Sequence, residues 1–184
     1  MKKVYLDYSA TTPTKVEIVE AMLPYFTEEF GNPSSIHQYG RDAKKAVNGA
    51  REQVAKLIGA NPQDVYFTAG GTESDNWALK SVARDLKERG KGNHIITTKI
   101  EHHAILHSCE ALEKEGFEVT YLDVNGEGMI STDDLKSKIK PETIMISIMF
   151  INNEIGTIQP IEEVGKIAKE KDIIFHTDAI QAIG

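Results

Sequence analysis

The most constraining feature of this sequence is the alternation of short β-branched runs with helical patterns after residue 64. Apolar runs of strand length occupy residues 65–68, 94–98, 119–122, 143–149 and 173–177. Continuous apolar strands that alternate with amphipathic helices form βαβ units, with helices on both faces of a parallel sheet. The pattern therefore predicts an α/β fold with a mainly parallel sheet.

Local signals predict where several helices begin and end. A helical stripe before the first run stops at Gly59 and should be core; it comprises Ala43, Ala46, Val47, Ala50, Val54, Leu57 and Ile58. Ser131 starts a capping pattern, Pro160 suits a first helical turn, and Gly116 should end the helix that carries Leu112. Three prolines interrupt the first 35 residues, which predicts an extended arm and one short helix.

Composition excludes several classes of protein. The 21 basic and 28 acidic residues give a net charge of −7, which disfavours a nucleic-acid partner. No apolar run approaches the roughly 18 residues of a membrane helix. The single cysteine, Cys109, excludes an intramolecular disulfide framework and a Cys-pair zinc site, and it predicts a cytoplasmic location.

The first candidate binding element is the glycine turn that follows run 65–68. Ligands of parallel α/β sheets bind beyond the carboxyl ends of the strands. Gly70 and Gly71 open a helical pattern there, and free backbone N–H groups with the Thr72 and Ser74 hydroxyls would hold a phosphate. A tight strand-to-helix turn with an ordinary cap is the alternative.

Histidines follow the second run. His103 and His107 lie four residues apart, so with Glu101 they could bind zinc, although the pattern is not H-E-x-x-H and surface histidines are the commoner explanation. The preferred interpretation assigns no metal. Instead, the flat ring of His102 would lie on a planar ligand.

Amides and a carboxylate follow the fourth and fifth runs. Asn152 and Asn153 end an apolar run and need hydrogen-bond partners, which a ligand or a turn cap would supply equally well. Asp178 ends the last run, so it needs a metal, an arginine or a protonated heterocycle. A phosphate site, a flat ring, amides and this carboxylate together match pyridoxal 5′-phosphate, with Asp178 at the ring nitrogen and Gln181 at the phenolic oxygen.

Six segments bring a family resemblance: YLDYSATTP (5–13), FGNPSS (30–35), GTESDN (71–76), EH (101–102), NNEIG (152–156) and HTDAIQ (176–181). Their combination, in order along the whole chain, resembles the NifS/IscS cysteine desulfurases, which are class-V-aminotransferase-like enzymes of fold type I. The resemblance implies an incomplete cofactor-binding large domain over residues 15–184. Residues 1–14 would be an arm that belongs to the small-domain and active-site region.

The resemblance also implies an activity and residue roles. The activity is removal of sulfur from L-cysteine, which gives L-alanine and an enzyme persulfide for iron-sulfur clusters or thiolation. Gly71, which replaces an alanine of many relatives, and Thr72 would hold the phosphate. His102 would be the catalytic residue that stacks on the ring and moves protons. Asn153 would reach the cofactor and the substrate, and Asp178 and Gln181 would hold the ring.

Other parts of the family pattern lie outside these 184 residues. The family's cofactor-bearing lysine follows a Ser-x-His motif roughly twenty to thirty residues beyond the aspartate, and none of the 17 lysines has that context. The substrate arginine and the persulfide cysteine would also follow, because Cys109 is interpreted as core. The family strand order is three, two, four, five, six, seven, one, so strands six and seven would be missing, and no sheet would hold Gly71 and Asp178 at the correct distance.

The prediction is therefore the N-terminal part of a cysteine desulfurase that is inactive alone. Its unpaired strand edges favour a homodimer, and a domain-swapped arrangement is one form that would pair them. The complete enzyme would use a sulfur-acceptor or scaffold protein and no nucleic-acid or membrane partner. A selenocysteine lyase, another class-V enzyme, a non-catalytic binding or dimerisation module, and a metal protein remain the alternatives.

Overall fold

A computed structural model describes residues 3–183, which divide into two compact units near residue 67. The first unit contains three helices and a single-turn 3₁₀ helix: α1 (Val16–Met22), α2 (Pro24–Thr27), α3 (Gln38–Ile58) and the 3₁₀ turn Pro62–Asp64. One short helix was expected in the first 35 residues, and that expectation is wrong. Two helices form: α1 ends at Met22, and Pro24 begins α2 at a position that needs no N–H donor.

The second unit is an α/β structure with a four-stranded parallel sheet. Its elements are α4 (Gly71–Glu88), β1 (His94–Thr98), α5 (His103–Lys114), β2 (Glu118–Leu122), α6 (Thr132–Lys138), β3 (Thr143–Ser147), α7 (Ile161–Glu170) and β4 (Ile174–His176). The strand order is β2-β1-β3-β4, and every pair is parallel. These strands are runs three, two, four and five of the sequence, in the order that the family resemblance implies.

Helices cover both faces of this sheet. Every residue of β1 and β3 is buried, and the side chains of successive residues point to opposite faces. Ile95 packs with Leu79 of α4 and Ile105 of α5, whereas Ile96 packs with Leu135 of α6 and Val164 of α7. The α/β fold with a mainly parallel sheet and helices on both faces is therefore confirmed.

The run 65–68 is not a strand, which corrects the predicted five-strand sheet. Val65 is buried, but none of these residues is paired with a strand among residues 3–183. A strand needs a neighbour for its backbone groups, and the order implied by the resemblance puts this run beside a seventh strand. The described residues contain no such strand, so the segment lies outside the sheet.

The helix that ends at Gly59 is confirmed as α3, but its apolar stripe is not core. Gly59 caps α3 in the left-handed conformation, with φ of 68°, where glycine is favoured. Ala43 and Ala55 are buried, whereas Leu57 is 67% exposed and Ile58 is 51% exposed. Val47 and Val54 are exposed as well. Helical periodicity identifies an apolar face but does not say what covers it.

The remaining boundary signals agree with the structure to within one or two residues. The Ser131 side chain accepts a hydrogen bond from the Asp134 N–H and caps α6. Gly116 has φ of 81° and follows α5 by two residues. Pro160 is the N-cap of α7 rather than a member of its first turn. The predicted division of the chain at residue 14 stays a prediction.

Candidate functional site

The carboxyl ends of the strands are joined to one another by hydrogen bonds that continue beyond the sheet. The Ile148 and Phe150 N–H groups donate to the carbonyls of His176 (3.1 Å) and Asp178 (2.8 Å), so the β3–β4 ladder extends to the segment that carries Asp178. The Asn152 amide donates to the carbonyl of Ile100 at 2.8 Å. Consequently, the segments after β1, β3 and β4 form one edge of the second unit.

The start of α4 provides unpaired backbone donors. The N–H groups of Glu73 and Ser74 bond to the Gly70 carbonyl, and the Ala69 N–H donates to the Glu73 carboxylate at 2.6 Å. The N–H groups of Gly71 and Thr72 have no acceptor within residues 3–183. They lie at the N-terminus of an 18-residue helix, where free N–H groups and the helix dipole favour an anion.

The two hydroxyls that were expected at this turn have different surroundings. The Ser74 hydroxyl is 2.7 Å from the Thr68 hydroxyl, which also donates to the Gly70 carbonyl. This network stabilises the turn itself. Thr72 is exposed at the second helical position, and its side chain is the more accessible of the two to an anion.

Gly71 lies directly against the segment that follows β4. A Cβ atom at position 71 would lie 1.8 Å from Cδ1 of Ile180. A side chain at position 71 would therefore require the flexible end of Ile180 to move. The contact also brings the start of α4 beside the segment of Asp178 and Gln181, although run 65–68 is not part of the sheet. As expected, no strand pairing joins these two segments among the described residues; the side chain of Ile180 brings them into contact instead.

His102 is exposed and caps α5. Its Nδ1 accepts a hydrogen bond from the Ala104 N–H at 3.1 Å, so the ring is held at the helix start. The ring of His103 lies edge-on to that of His102, with centroids 6.2 Å apart. The flat face that the sequence analysis assigned to His102 is on an exposed side chain at the carboxyl end of β1.

The two asparagines after β3 have different environments. Asn152 is buried, and its side-chain oxygen accepts from the N–H groups of Glu154 and Ile155. It is therefore a turn cap, one of the two roles that were left open. Asn153 is half-buried, and its amide donates only to the carboxylate of the neighbouring Glu154 among the described residues. This amide is accessible to a ligand.

Asp178 is half-buried at the end of β4. Its Oδ1 accepts from the Ile180 N–H at 3.0 Å, and no lysine or arginine within residues 3–183 pairs with it. Gln181 is exposed three residues further on. The hydroxyl of Thr177 is buried without a hydrogen-bond partner among the described residues.

Two deeply buried carboxylates lie behind Asp178. Asp75 is 4% exposed and Glu101 is 6% exposed. Asp75 is 3.7 Å from Nε2 of His176, whose Nδ1 is 2.9 Å from the Ser147 hydroxyl. Glu101 accepts from the Thr98 hydroxyl at 2.8 Å and from the Met149 N–H at 3.0 Å.

Burial changes the ionisation of this group. It raises the pKa of Asp75 to about 7, with a further rise from the negative charge of Asp178. Burial also raises the pKa of Glu101 to about 7, although its two hydrogen bonds oppose that change. It lowers the pKa of His176, against the attraction of Asp178. Desolvation, which disfavours each charged form, is the dominant cause in all three groups.

Asp75 and His176 were not predicted as site residues from the sequence, and the one chemical role that the sequence suggested for Glu101 was that of a metal ligand. Asp75 lies in a polar run on α4, where an exposed face was the natural expectation. Its helical distance from Gly71, four residues or about one turn, was the available signal. His176 is the last residue of β4, whereas only residues that follow a strand were considered as candidates.

The metal alternative has no ligand set in the described part of the chain. The rings of His103 and His107 stack with centroids 5.3 Å apart, but Glu101 is engaged by Thr98 and Met149. Within residues 3–183, no three His, Cys, Asp or Glu side chains could together hold a metal ion.

Cys109 is fully buried, as predicted, and burial raises its pKa to about 12. No helix within residues 3–183 is long and apolar enough to cross a membrane.

The residues at this edge fit pyridoxal 5′-phosphate. Two N–H groups without acceptors begin α4, which suits a phosphate. A half-buried carboxylate without a cationic partner lies at Asp178, which suits a protonated ring nitrogen. The Gly71–Ile180 contact brings these two segments together.

Comparison with known proteins gives the class of this chain. The family model for aminotransferase class-V matches residues 4–184. The chain therefore belongs to the class-V aminotransferase family, a family that implies pyridoxal phosphate in its complete enzymes.

Similar proteins within that family are cysteine desulfurases. The chain is 62% identical over 183 residues to a cysteine desulfurase IscS of Clostridium botulinum and 62% identical to one of Methanosarcina thermophila, and it covers 46% and 45% of their lengths. A solved NifS-like protein matches with a TM-score of 0.94 and 40% identity over 98% of this chain and 50% of its own. A structure of SspA in complex with cysteine matches with a TM-score of 0.92 and 43% identity. The chain thus spans about half the length of its relatives.

The burial of Glu101 generates a prediction about stability. The raised pKa of Glu101, about 7 against an ordinary 4.5, means that the unfolded chain binds fewer protons than the folded chain between these values. The free energy of unfolding should therefore fall as the pH rises from about 5 to about 7. Glu101→Gln removes this titration, so the fall should be smaller by about 2 kcal/mol. Urea denaturation at the two pH values measures the difference.

The matched control is Glu88→Gln, which alters an exposed glutamate on α4. This variant should retain the full dependence on pH. An identical dependence in Glu101→Gln and the unmodified chain would contradict the prediction.

Proposed function

We propose that this chain is the N-terminal part of a pyridoxal-phosphate-dependent cysteine desulfurase. The observation that carries the proposal is the juxtaposition, at one edge of the second unit, of an unpaired helix N-terminus and the Asp178 segment. The names of the relatives support the same activity, and SspA provides a relative with cysteine bound. The substrate would be L-cysteine, and the products would be L-alanine and an enzyme persulfide.

Each residue at the edge has a role in this proposal. The Gly71 and Thr72 N–H groups and the Thr72 hydroxyl would bind the phosphate, and Asn153 and Gln181 would donate to oxygens of the cofactor. Asp178 would hold the proton of the ring nitrogen in place. His102 would lie over the ring and transfer protons as the catalytic residue. When bound, pyridoxal phosphate supplies an electron sink.

The proposal leaves covalent steps to residues outside this sequence. Cys109 cannot act as a nucleophile because it is fully buried and its pKa is raised to about 12. A sulfur-acceptor protein, and a choice between cysteine and selenocysteine as the substrate, would belong to the complete enzyme. A cytoplasmic location stays a prediction from the composition.

The decisive test joins these 184 residues to the C-terminal half of the Methanosarcina thermophila relative. The chimera should bind pyridoxal phosphate and release sulfide from L-cysteine, and the 184-residue chain alone should release none, because the lysine and thiolate positions lie in the other half. Sulfide release and cofactor absorbance measure the two properties. A chimera that folds and binds the cofactor but acts on neither cysteine nor selenocysteine would refute the proposal and favour a non-catalytic module.

The role of Asp178 gives a sharper prediction in the same chimera. Asp178→Asn removes the negative charge that would keep the ring nitrogen protonated, so turnover should fall about tenfold or more while cofactor content changes little. Asp133→Asn, which alters an exposed aspartate on α6, is the control. Wild-type turnover in Asp178→Asn would remove Asp178 from the site.

Association of the 184-residue chain is a further prediction. β4 is an edge strand, and the first unit exposes large apolar residues on each of its helices, among them Phe26 (70% exposed) and Leu57 (67%). Unpaired edges and apolar patches favour pairing between chains. Light scattering should show a homodimer, domain-swapped or not, or a larger species; a compact monomer at high concentration would contradict the prediction.

A further inference from the structure

Asp75, Glu101 and Asp178 form a carboxylate cluster in which the only ion-pair contact among residues 3–183 is that of Asp75 with His176. The three side chains are on different elements, α4, the β1–α5 segment and the β4 end, and they are close enough to repel one another electrostatically. No lysine or arginine within residues 3–183 forms an ion pair with any of them. The other titratable groups that face the cluster are His176, beside Asp75, and the thiol of Cys109 on α5, close to Glu101.

Three negative charges cannot coexist in this environment. Like charges in a poorly solvated site favour protonation of some members, and an isolated buried carboxylate is costly. Asp75 and Glu101 are more than nine-tenths buried, and each has one oxygen, Oδ2 and Oε2 respectively, without a hydrogen-bond partner in the described residues. The unpartnered oxygens are the sites where protons cost least.

Asp178 differs from the other two carboxylates in its exposure and in its backbone hydrogen bond. It is only half-buried, and its Oδ1 accepts from the backbone N–H of Ile180. His176 is held by the Ser147 hydroxyl at Nδ1, and its Nε2 faces the Asp75 carboxylate at 3.7 Å. The distance of 3.7 Å is too long for a hydrogen bond, but it couples the two groups electrostatically, so that one proton on the pair disfavours a second.

We propose that Asp75 and His176 share one proton near neutral pH, and that this proton, with a second on Glu101, leaves the negative charge of the cluster on Asp178. Asp75 is then a positioning residue that acts through Asp178. The consequence for a cofactor ring rests on the proposed function, whereas the distribution of protons does not.

Carboxyl-carbon NMR titration of the 184-residue chain, labelled in Asp, Glu and His, tests the proposal without any cofactor. An aspartate resonance should titrate near pH 7 and be missing from Asp75→Asn. In Asp178→Asn the midpoint of Asp75 should fall by about half a pH unit or more, because a neighbouring negative charge is gone. The midpoint of His176 should fall in Asp75→Asn, since its acid partner is lost.

The exposed Asp133→Asn is the control and should leave the midpoints of Asp75 and His176 unchanged. Backbone amide spectra establish that each variant is folded, and Asp178→Asn tests the coupling independently if Asp75→Asn unfolds. An ordinary midpoint near 4 for Asp75, or midpoints of Asp75 and His176 that ignore the substitutions, would overturn the proposal. An inactive chimera with intact coupling would refute the proposed function alone.

Discussion

The complete burial of β1 between two strands and two layers of helices is the constraint on which the second unit depends. Neither face nor edge of this strand meets water, so its backbone groups are paired within the parallel ladders to β2 and β3. Parallel pairing directs the carboxyl ends of all three strands to the same edge. The polar segments that follow β1 and β3 meet there because these two strands are parallel neighbours.

Much of the second unit could be predicted from local sequence patterns, without knowledge of which segments pair. The runs at 94–98 and 143–149 are rich in β-branched and apolar residues and contain no Asp, Glu, Lys or Arg; this pattern is visible in the sequence and reflects strands that are covered on both faces. Run 65–68 has a similar composition but is not a strand, because a strand forms only where a neighbouring strand can bond to its backbone. The stripe of α3 differs from expectation for a related reason: Leu57 and Ile58 lie on its apolar face but remain exposed.

Candidate site residues that directly follow a strand could be predicted from the sequence. The residue that reaches the site from a helix packed on the sheet could not. Gly71, His102, Asn153 and Asp178 all follow an apolar run, so the rule for parallel sheets selects them directly. Asp75 is in a helix among polar neighbours, and nothing local distinguishes it from solvent-facing residues. Only the packing of α4 against the sheet brings it to His176. The electrostatics of the edge thus depend on a residue that local patterns do not reveal.

The contact between Gly71 and Ile180 also has an evolutionary consequence. An added Cβ at position 71 would overlap with the terminal methyl group of Ile180, which is the flexible end of its side chain and can rotate or be shortened. The two positions are separated by more than a hundred residues, but the volume available to one is set by the other. In homologous sequences, a larger residue at the position of Gly71 should therefore be accompanied by a smaller or differently branched residue at the position of Ile180, and this covariation would record the distance between two halves of a binding site.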